Sequence, residues 1–458
     1  KTKDKRMYRK IDNQKSQTKF TDYKMTELGP LPQEWDVVRL GEVFSIQQGK
    51  QLSQKNRIGN NQKYFLRTAN VFWGFIDTTE LDSMHFTQEE EKKYKLETGD
   101  LLVCEGGDIG RTAIWEIPIN NCYYQNHLHR LRAKNNNIYP RFYLYWLWYA
   151  FEISNIYFGH GNITTIPNLS SSRLSLLNIP LPPLAEQRKI AAILSTVQKA
   201  IEIEGKLIEH TKELKKAMMH KLFTEGIGWL SGSETSQKQT EIGPIPKNWE
   251  VVRLGDYLLT NNDFRFSIDK ENIETVSFIP MSLIPEENLF ISQFEKRKTH
   301  DIKSGIVVFE NDLLIAKITP CFENGKQGIV KGLVNGWGYA TTEVIPIRTN
   351  KQINLKYIAY YLKYPKIRNF LASKMEGSTG RQRLPKSQIE NLKIPLPPLP
   401  EQQAIADILS TIDQKIEHHT TKKQKLEELF RTLLHELMTA KVRVNKINFE
   451  FLKMEDEI

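Results

Sequence analysis

Apolar residues recur at helical spacing twice along the chain. In the first half they fall at Ile190, Ile193, Val197, Ile201 and Ile208, then at Leu214, Met218 and Leu222. In the second half they fall at Ile405, Ile408, Ile412 and Ile416, then at Leu426, Phe430, Leu433 and Leu437. The spacing is close to a 3.5-residue repeat, with polar positions around Glu204 and His419 interrupting the seam. It predicts two helices of about 38 residues, or about 57 Å each. Pro400 fits a first helical position, and Glu186 and Glu401 suit the positive end of a helix dipole. A helix of that length with a single apolar stripe needs a partner, and the duplicate supplies one, expected to run antiparallel.

Elsewhere the pattern is shorter. From Phe44 to about Asn178, strand-like runs alternate with glycine-containing turns. Tyr64–Phe72 and Gly99–Cys104 read as strands, and Arg141–Tyr149 as a buried aromatic helix. Trp35 precedes a β-leaning segment and is expected to anchor the first domain.

The two helices belong to a tandem duplication. Ile179–Glu202 returns as Ile394–Glu417 with 16 of 24 positions identical, and Thr26–Gly41 returns as Thr240–Gly255. The segments between these motifs have similar lengths and little common sequence. Asn311-Asp-Leu-Leu-Ile315 echoes Gly99-Asp-Leu-Leu-Val103, whereas Thr319–Lys326 and Tyr339–Val344 show no clear first-half counterparts. The repeat has kept its scaffold and diverged in its domains.

A chain of 458 residues fits two domains with connectors. No apolar run reaches the length of a membrane span, and the N-terminus lacks a signal-peptide core. Three cysteines outside any metal-ligand spacing read as reduced thiols of a cytoplasmic protein. The net charge of +10 permits nucleic acid, but Lys1–Lys24 hold nine basic and three acidic residues, so most of the excess sits in an N-terminal arm.

Catalytic and cofactor motifs do not appear. There is no P-loop and no Gly-x-Gly-x-x-Gly opening a helix, and Gly106–Gly110 reads as a turn. No Asn/Asp-Pro-Pro-aromatic tetrad for amino-methyl transfer is present, and His418-His419 lacks a third ligand. Groups suited to base edges are plentiful. In the first domain they are Arg67, Asn70, Arg111, Gln125, Asn126, His127 and Asn162. In the second they are Lys317, Lys326, Thr341, Thr342, Arg381, Gln382 and Arg383, with the Gly377–Arg383 loop the foremost candidate.

The Thr-Glu-x-Gly-Pro-x-Pro-x-x-Trp motifs at Thr26 and Thr240, and the Ile-Pro-Leu-Pro-Pro-Leu-x-Glu-Gln motifs at Ile179 and Ile394, make the chain resemble the specificity subunit of a type I restriction–modification enzyme. Gly107-Asp-Ile-Gly-Arg111 and Pro320–Lys326 look like segments of its target-recognition domains. The resemblance implies an α+β fold: two globular α/β target-recognition domains separated by two long antiparallel helices forming a coiled coil, with a pseudo-two-fold internal repeat. The expected order is a flexible basic arm (1–25), target-recognition domain 1 (26–178), a scaffold helix (179–226), a linker (227–239), target-recognition domain 2 (240–393), a second scaffold helix (394–445) and a tail (446–458). It further implies a non-catalytic subunit whose domains each read one half of a bipartite site on double-stranded DNA, with helices that set the spacing. Two methyltransferase subunits and restriction/translocase subunits are the implied partners, and S-adenosylmethionine, ATP and Mg2+ are implied for those partners and no cofactor for this chain. Two other readings are weighed: an autonomous methyltransferase or nuclease, which needs cofactor and catalytic motifs that do not appear, and a coiled-coil adaptor with two protein-binding modules, which also explains the repeat and the Leu-Pro-Pro-Leu turns.

Overall fold

The computed structural model describes residues 22–157, 169–232, 236–259, 273–378 and 380–445. It divides into two compact units, Lys1–Ile203 with Lys423–Ile458 as unit 1 and Glu204–Lys422 as unit 2. Each unit therefore holds one globular domain and one segment of each long helix.

The helices span Leu184–Glu225 and Leu399–Met438, longer than the periodicity indicates. Pro183 and Pro398 sit just before them, and their carbonyls accept the amide N–H of Glu186 and Gln187, and of Glu401 and Gln402. Pro400 is thus the second helical residue, where its missing N–H still removes nothing from the ladder. In unit 1, Glu186 near the start of the first helix meets Arg443, just past the end of the second, at 3.0 Å. In unit 2, Glu401 near the start of the second helix accepts the Ile227 N–H, just past the end of the first, at 3.2 Å. Both contacts require the paired segments to run in opposite directions. The buried stripe comprises Ile190, Ala191 and Leu194 in one copy and Ile405, Ala406 and Leu409 in the other. Leu214, expected on the stripe, is instead 53 % exposed, whereas Leu222 is buried as expected, together with Met219 and Phe223. Glu204, a polar interruption of the seam, is buried and bonded to His419 at 2.7 Å and to Lys422 at 2.7 Å.

The two repeated motifs turn out to be neighbours. Asp36–Arg39 pairs with Asn178–Leu181, and Glu250–Arg253 pairs with Lys393–Leu396, so each motif pair closes the two ends of one domain. Trp35 donates its indole N–H to Glu186 at 2.9 Å, and Trp249 does the same to Glu401 at 2.9 Å. The glutamine that follows ties the helix to the domain: Gln187 accepts the Tyr139 N–H, and Gln402 accepts the Asn354 N–H. Those two residues cap the aromatic helices Pro140–Trp148 and Leu355–Lys363, which fill the cores. Unit 1 buries Trp35, Phe142, Trp146, Leu194 and Phe430 together, and unit 2 buries Trp249, Tyr357, Tyr360, Leu409 and Phe223 together.

Two stretches expected to be irregular are ordered. Tyr23–Thr26, at the end of the expected arm, pairs with Gly29–Pro32, and the Tyr23 hydroxyl donates to the Ala440 carbonyl. Gln237–Thr240, in the expected linker, pairs in the same manner with Gly243–Pro246. At the other end, the second scaffold helix stops at Met438, with Ala440 left-handed at φ 52°, rather than reaching 445.

The domains share a topology that their sequences conceal. In unit 1, Leu101–Cys104 lies between Thr112–Ile114 and Leu128–Ala133, antiparallel to both. In unit 2, Leu313–Ala316 lies between Gln327–Val330 and Val344–Ile347, again antiparallel to both. A second sheet in each contains a parallel pair, Tyr123–Tyr124 with Gln62–Leu66 and Trp337–Ala340 with Thr275–Ile279. Antiparallel partners Asp82–His85 and Glu295–Lys298 flank them. Asp100 with Arg132, and Asp312 with Arg348, form matching bidentate ion pairs beneath the first sheet.

Candidate nucleic-acid interface

In each unit, three residues cross from the parallel pair of one sheet into the next strand of the other. In unit 1 these are Gln125, Asn126 and His127. The Gln125 N–H donates to the Leu66 carbonyl at 3.0 Å, the Glu105 N–H to the His127 carbonyl at 3.0 Å, and the Leu169 N–H to the Glu105 carbonyl at 2.8 Å. In unit 2 they are Thr341, Thr342 and Glu343. The Thr341 N–H donates to Ile279 at 3.0 Å, the Lys317 N–H to Glu343 at 3.0 Å, and the Leu384 N–H to Lys317 at 2.7 Å. The backbone bonds match one for one. Tyr339–Val344, which has no counterpart by sequence, is therefore the structural equivalent of Tyr123–Leu128.

The side chains on this common frame differ. In unit 2, Arg383 grips the Glu343 carboxylate with both arms, at 3.0 and 2.8 Å, and that grip holds the carboxyl below the usual range. Backbone bonds between Arg383 and Glu376 close the Gly377–Arg383 loop, and the Thr319 N–H fastens it through the Gln382 carbonyl at 3.1 Å. Thr342, Arg381 and Arg383 are exposed, and Lys317, Thr341 and Gln382 are half-buried. Six of the seven candidates of the second domain thus gather at one place. Lys317, Arg383 and Lys386 line an open groove there, with Glu376 as a further acid.

In unit 1, Gln48 donates to the Glu105 carboxylate at 3.1 Å and to the Asn126 carbonyl at 2.9 Å, and His127 stands 3.8 Å from Glu105. Asn126 and His127 belong to this surface. Arg67 follows Leu66, to which Gln125 is bonded, and is paired with Asp82 at 3.1 Å. Asn162 falls outside the described residues.

Four candidates are corrected by their surroundings. Asn70 is buried, with both amide hydrogens spent on the Asp77 and Glu80 carbonyls and its oxygen accepting the Arg67 N–H, so its burial keeps it from a ligand. Gln125 is buried at 7 % exposure. Arg111 and Lys326 occupy equivalent places after the return turns of the two sheets. Arg111 donates to the Thr68 carbonyl at 2.7 Å and pairs with Asp108, and Lys326 donates to the Met281 carbonyl at 3.1 Å. Each clips the turn to the first residue of a short 3-10 helix, Thr68–Asn70 or Met281–Leu283. The glycine before each cation is left-handed, Gly110 at φ 81° and Gly325 at φ 83°, which lets the turn reverse. Gly106–Gly110 is thus a turn, as its composition indicates.

Residues missed at the sequence level are Glu343, Glu105 and Gln48, whose place depends on strands distant in sequence. Among the described residues no cluster of histidine, cysteine or acidic groups could hold a metal ion, and no helix is long and apolar enough to cross a membrane. Burial pushes the Cys104 thiol up to about 11 and the Cys122 thiol up to about 12, which leaves both unreactive near neutrality.

A duplicated frame carrying two unlike surfaces is the build of a two-headed recognition protein. Comparison with known proteins gives the family. Residues 32–213 and again 246–428 match the type I restriction modification DNA specificity domain. A Methanocaldococcus jannaschii specificity subunit assigned to the MjaX type I restriction enzyme is 31 % identical over 447 residues, covering 93 % of this chain and 98 % of that one. The specificity subunit of the Escherichia coli EcoAI enzyme is 39 % identical over 196 residues, covering 42 % of this chain and 33 % of that one. The solved S subunit of a type I restriction–modification system from M. genitalium shares the fold, with a TM-score of 0.52 and 17 % identity over 88 % of this chain and 96 % of that one. The chain belongs to this family: it is a type I restriction–modification specificity subunit with two DNA specificity domains, and its role is recognition, not catalysis. The adaptor and autonomous-enzyme readings are set aside with that assignment.

Proposed function

We propose that each unit reads one half of a bipartite, asymmetric site on double-stranded DNA, with target-recognition domains at 26–178 and 240–393. The observation that carries this reading is the crossover: matching backbone bonds present Asn126 and His127 in one unit and Thr342 and Glu343 in the other. A common frame with different donors and acceptors suits two different half-sequences. Arg381, Arg383, Lys317 and Lys386 supply the positive surface expected beside phosphates, and His127 and Asn126 present the reading edge of unit 1. In this reading the long helices hold the two readers at a fixed spacing and dock two methyltransferase subunits, to which restriction subunits are added. S-adenosylmethionine, ATP and Mg2+ act in those partners, and the assembly works in the cytoplasm.

The test is an exchange of residues 259–391 for the equivalent segment of a relative, followed by mapping of the methylated motif in cells that supply the partner subunits. One half of the motif should change and the other persist. A hybrid that alters both halves, or neither, contradicts the assignment. Incubating the purified single chain with labelled S-adenosylmethionine and DNA should give no label transfer.

A further inference from the structure

The crossover of unit 2 places an acid on a surface meant for a polyanion. Glu343 is paired with Arg383 and feels the charge of Lys317, beside a groove that also holds Lys386, and a purely cationic rim would serve phosphate binding better. A carboxylate there needs a donor of its own to meet. It is also held still: both its oxygens are taken by the Arg383 guanidinium, whose own backbone is locked to Glu376 and whose loop is fastened to Thr319. A carboxylate is an acceptor only, and each oxygen so engaged keeps a second lone pair. The side chain remains 28 % exposed, which leaves the carboxylate within reach of a donor from outside. Among base edges in the major groove, the donors are the exocyclic amino groups, and acidic side chains pair with the N4 amino group of cytosine.

We propose that Glu343, oriented by Arg383, is a specificity-determining residue of unit 2 and reads the exocyclic amino group of a cytosine at one base pair of its half-site. His127 is the equivalent reader of unit 1. The two positions are the same in the backbone frame, one residue before the strand and bonded to the junction residue of the neighbouring strand. Their chemistry is inverted. Unit 2 has a cation at the junction, Lys317, and an acid at the reading position, whereas unit 1 has the acid Glu105 at the junction and an imidazole at the reading position. An imidazole that can donate and a carboxylate that can only accept select different base edges. Arg383 is a positioning residue: it sets the direction of the Glu343 lone pairs.

This inference rests on unit 2 being DNA-facing, so the experiment separates the two. The full chain, assembled with its methyltransferase partner, is assayed on a pool of sites in which every position of both half-sequences is varied. E343Q should change the preference at a single base pair of one half by roughly tenfold or more, the scale of losing one good base contact. The other half should be untouched. R383K should loosen the same base pair, and H127A should relax one base pair of the opposite half, which gives an arm independent of how E343Q folds. An unaltered motif at the normal rate in E343Q and H127A overturns the assignment, as does a uniform loss across all sequences. If the exchange of residues 259–391 moves one half-sequence while E343Q moves none, only this inference falls. If that exchange moves nothing, the underlying reading falls.

Discussion

Trp35 donates its indole N–H to Glu186 at 2.9 Å across 151 residues, and Trp249 repeats the bond to Glu401 at the same 2.9 Å. The bond explains why tryptophan and the Leu-x-Glu-Gln segment recur together. Each acid stands in the first turn of a long helix, where the helix dipole favours negative charge, and the buried indole hands it a hydrogen bond. Trp35→Phe keeps most of the apolar volume and deletes the donor. A loss of about 1–3 kcal/mol is expected from a hydrogen bond to a charged group. Trp249→Phe should cost a similar amount. Denaturant unfolding of the purified chain, compared with wild type, checks both.

The clips give a second expectation. Arg111→Ala and Lys326→Ala each free a carbonyl at the start of a 3-10 turn, Thr68 or Met281. Each should lower stability by about 1–3 kcal/mol while the methylated motif of the assembled complex stays the same. A change of motif at one base pair would return the residue to the list of readers.

The buried acid of the helix seam ties stability to pH. Hydrogen bonds from Lys422 and His419 hold the Glu204 carboxyl below its ordinary value. A depressed carboxyl stabilises the fold fully above its unfolded value of about 4.3 and loses that contribution as pH falls through the folded value. Glu204→Gln should therefore flatten the acid limb of the stability profile and lower stability near neutrality. Lys422 is largely exposed, so solvent screening limits the effect to about 1 kcal/mol. Thermal midpoints measured between pH 3 and pH 7 provide the comparison.

Helix length should show in the recognised site. Glu204 and His419 occupy equivalent places in the duplicated helices and are bonded to each other. Inserting four residues just after Glu204 and four just before His419, the same side of their bond in antiparallel helices, adds about one turn, or roughly 6 Å, and restores the facing of the buried stripe. The gap between half-sites should lengthen by about two base-pair steps of 3.4 Å, with both half-sequences intact. Methylation mapping reads this directly, and an unchanged gap at full activity counts against helices as the spacer. An insertion in one helix alone should instead impair the protein, because it pulls Glu204 from its partners.

By itself, the sequence determined the duplication, the two long helices and their need for each other, because these follow from local periodicity and from identity at a constant offset. It also pointed to the Gly377–Arg383 loop, whose glycine-flanked cations are a local signal. Only the tertiary structure decided which polar groups are free. Asn70 and Arg111 look like Asn126 and His127 in a string of letters, yet Asn70 is consumed by the carbonyls of Asp77 and Glu80 in the following turn, and Arg111 by that of Thr68, 43 residues away. The kinship of the two domains was likewise hidden. Strand pairing is written in backbone bonds that any side chain permits, so Tyr123–Leu128 and Tyr339–Val344 could keep one geometry while their exposed residues diverged. That freedom, with a frame fixed by backbone and a surface left to side chains, is what lets one duplicated scaffold carry two different readers.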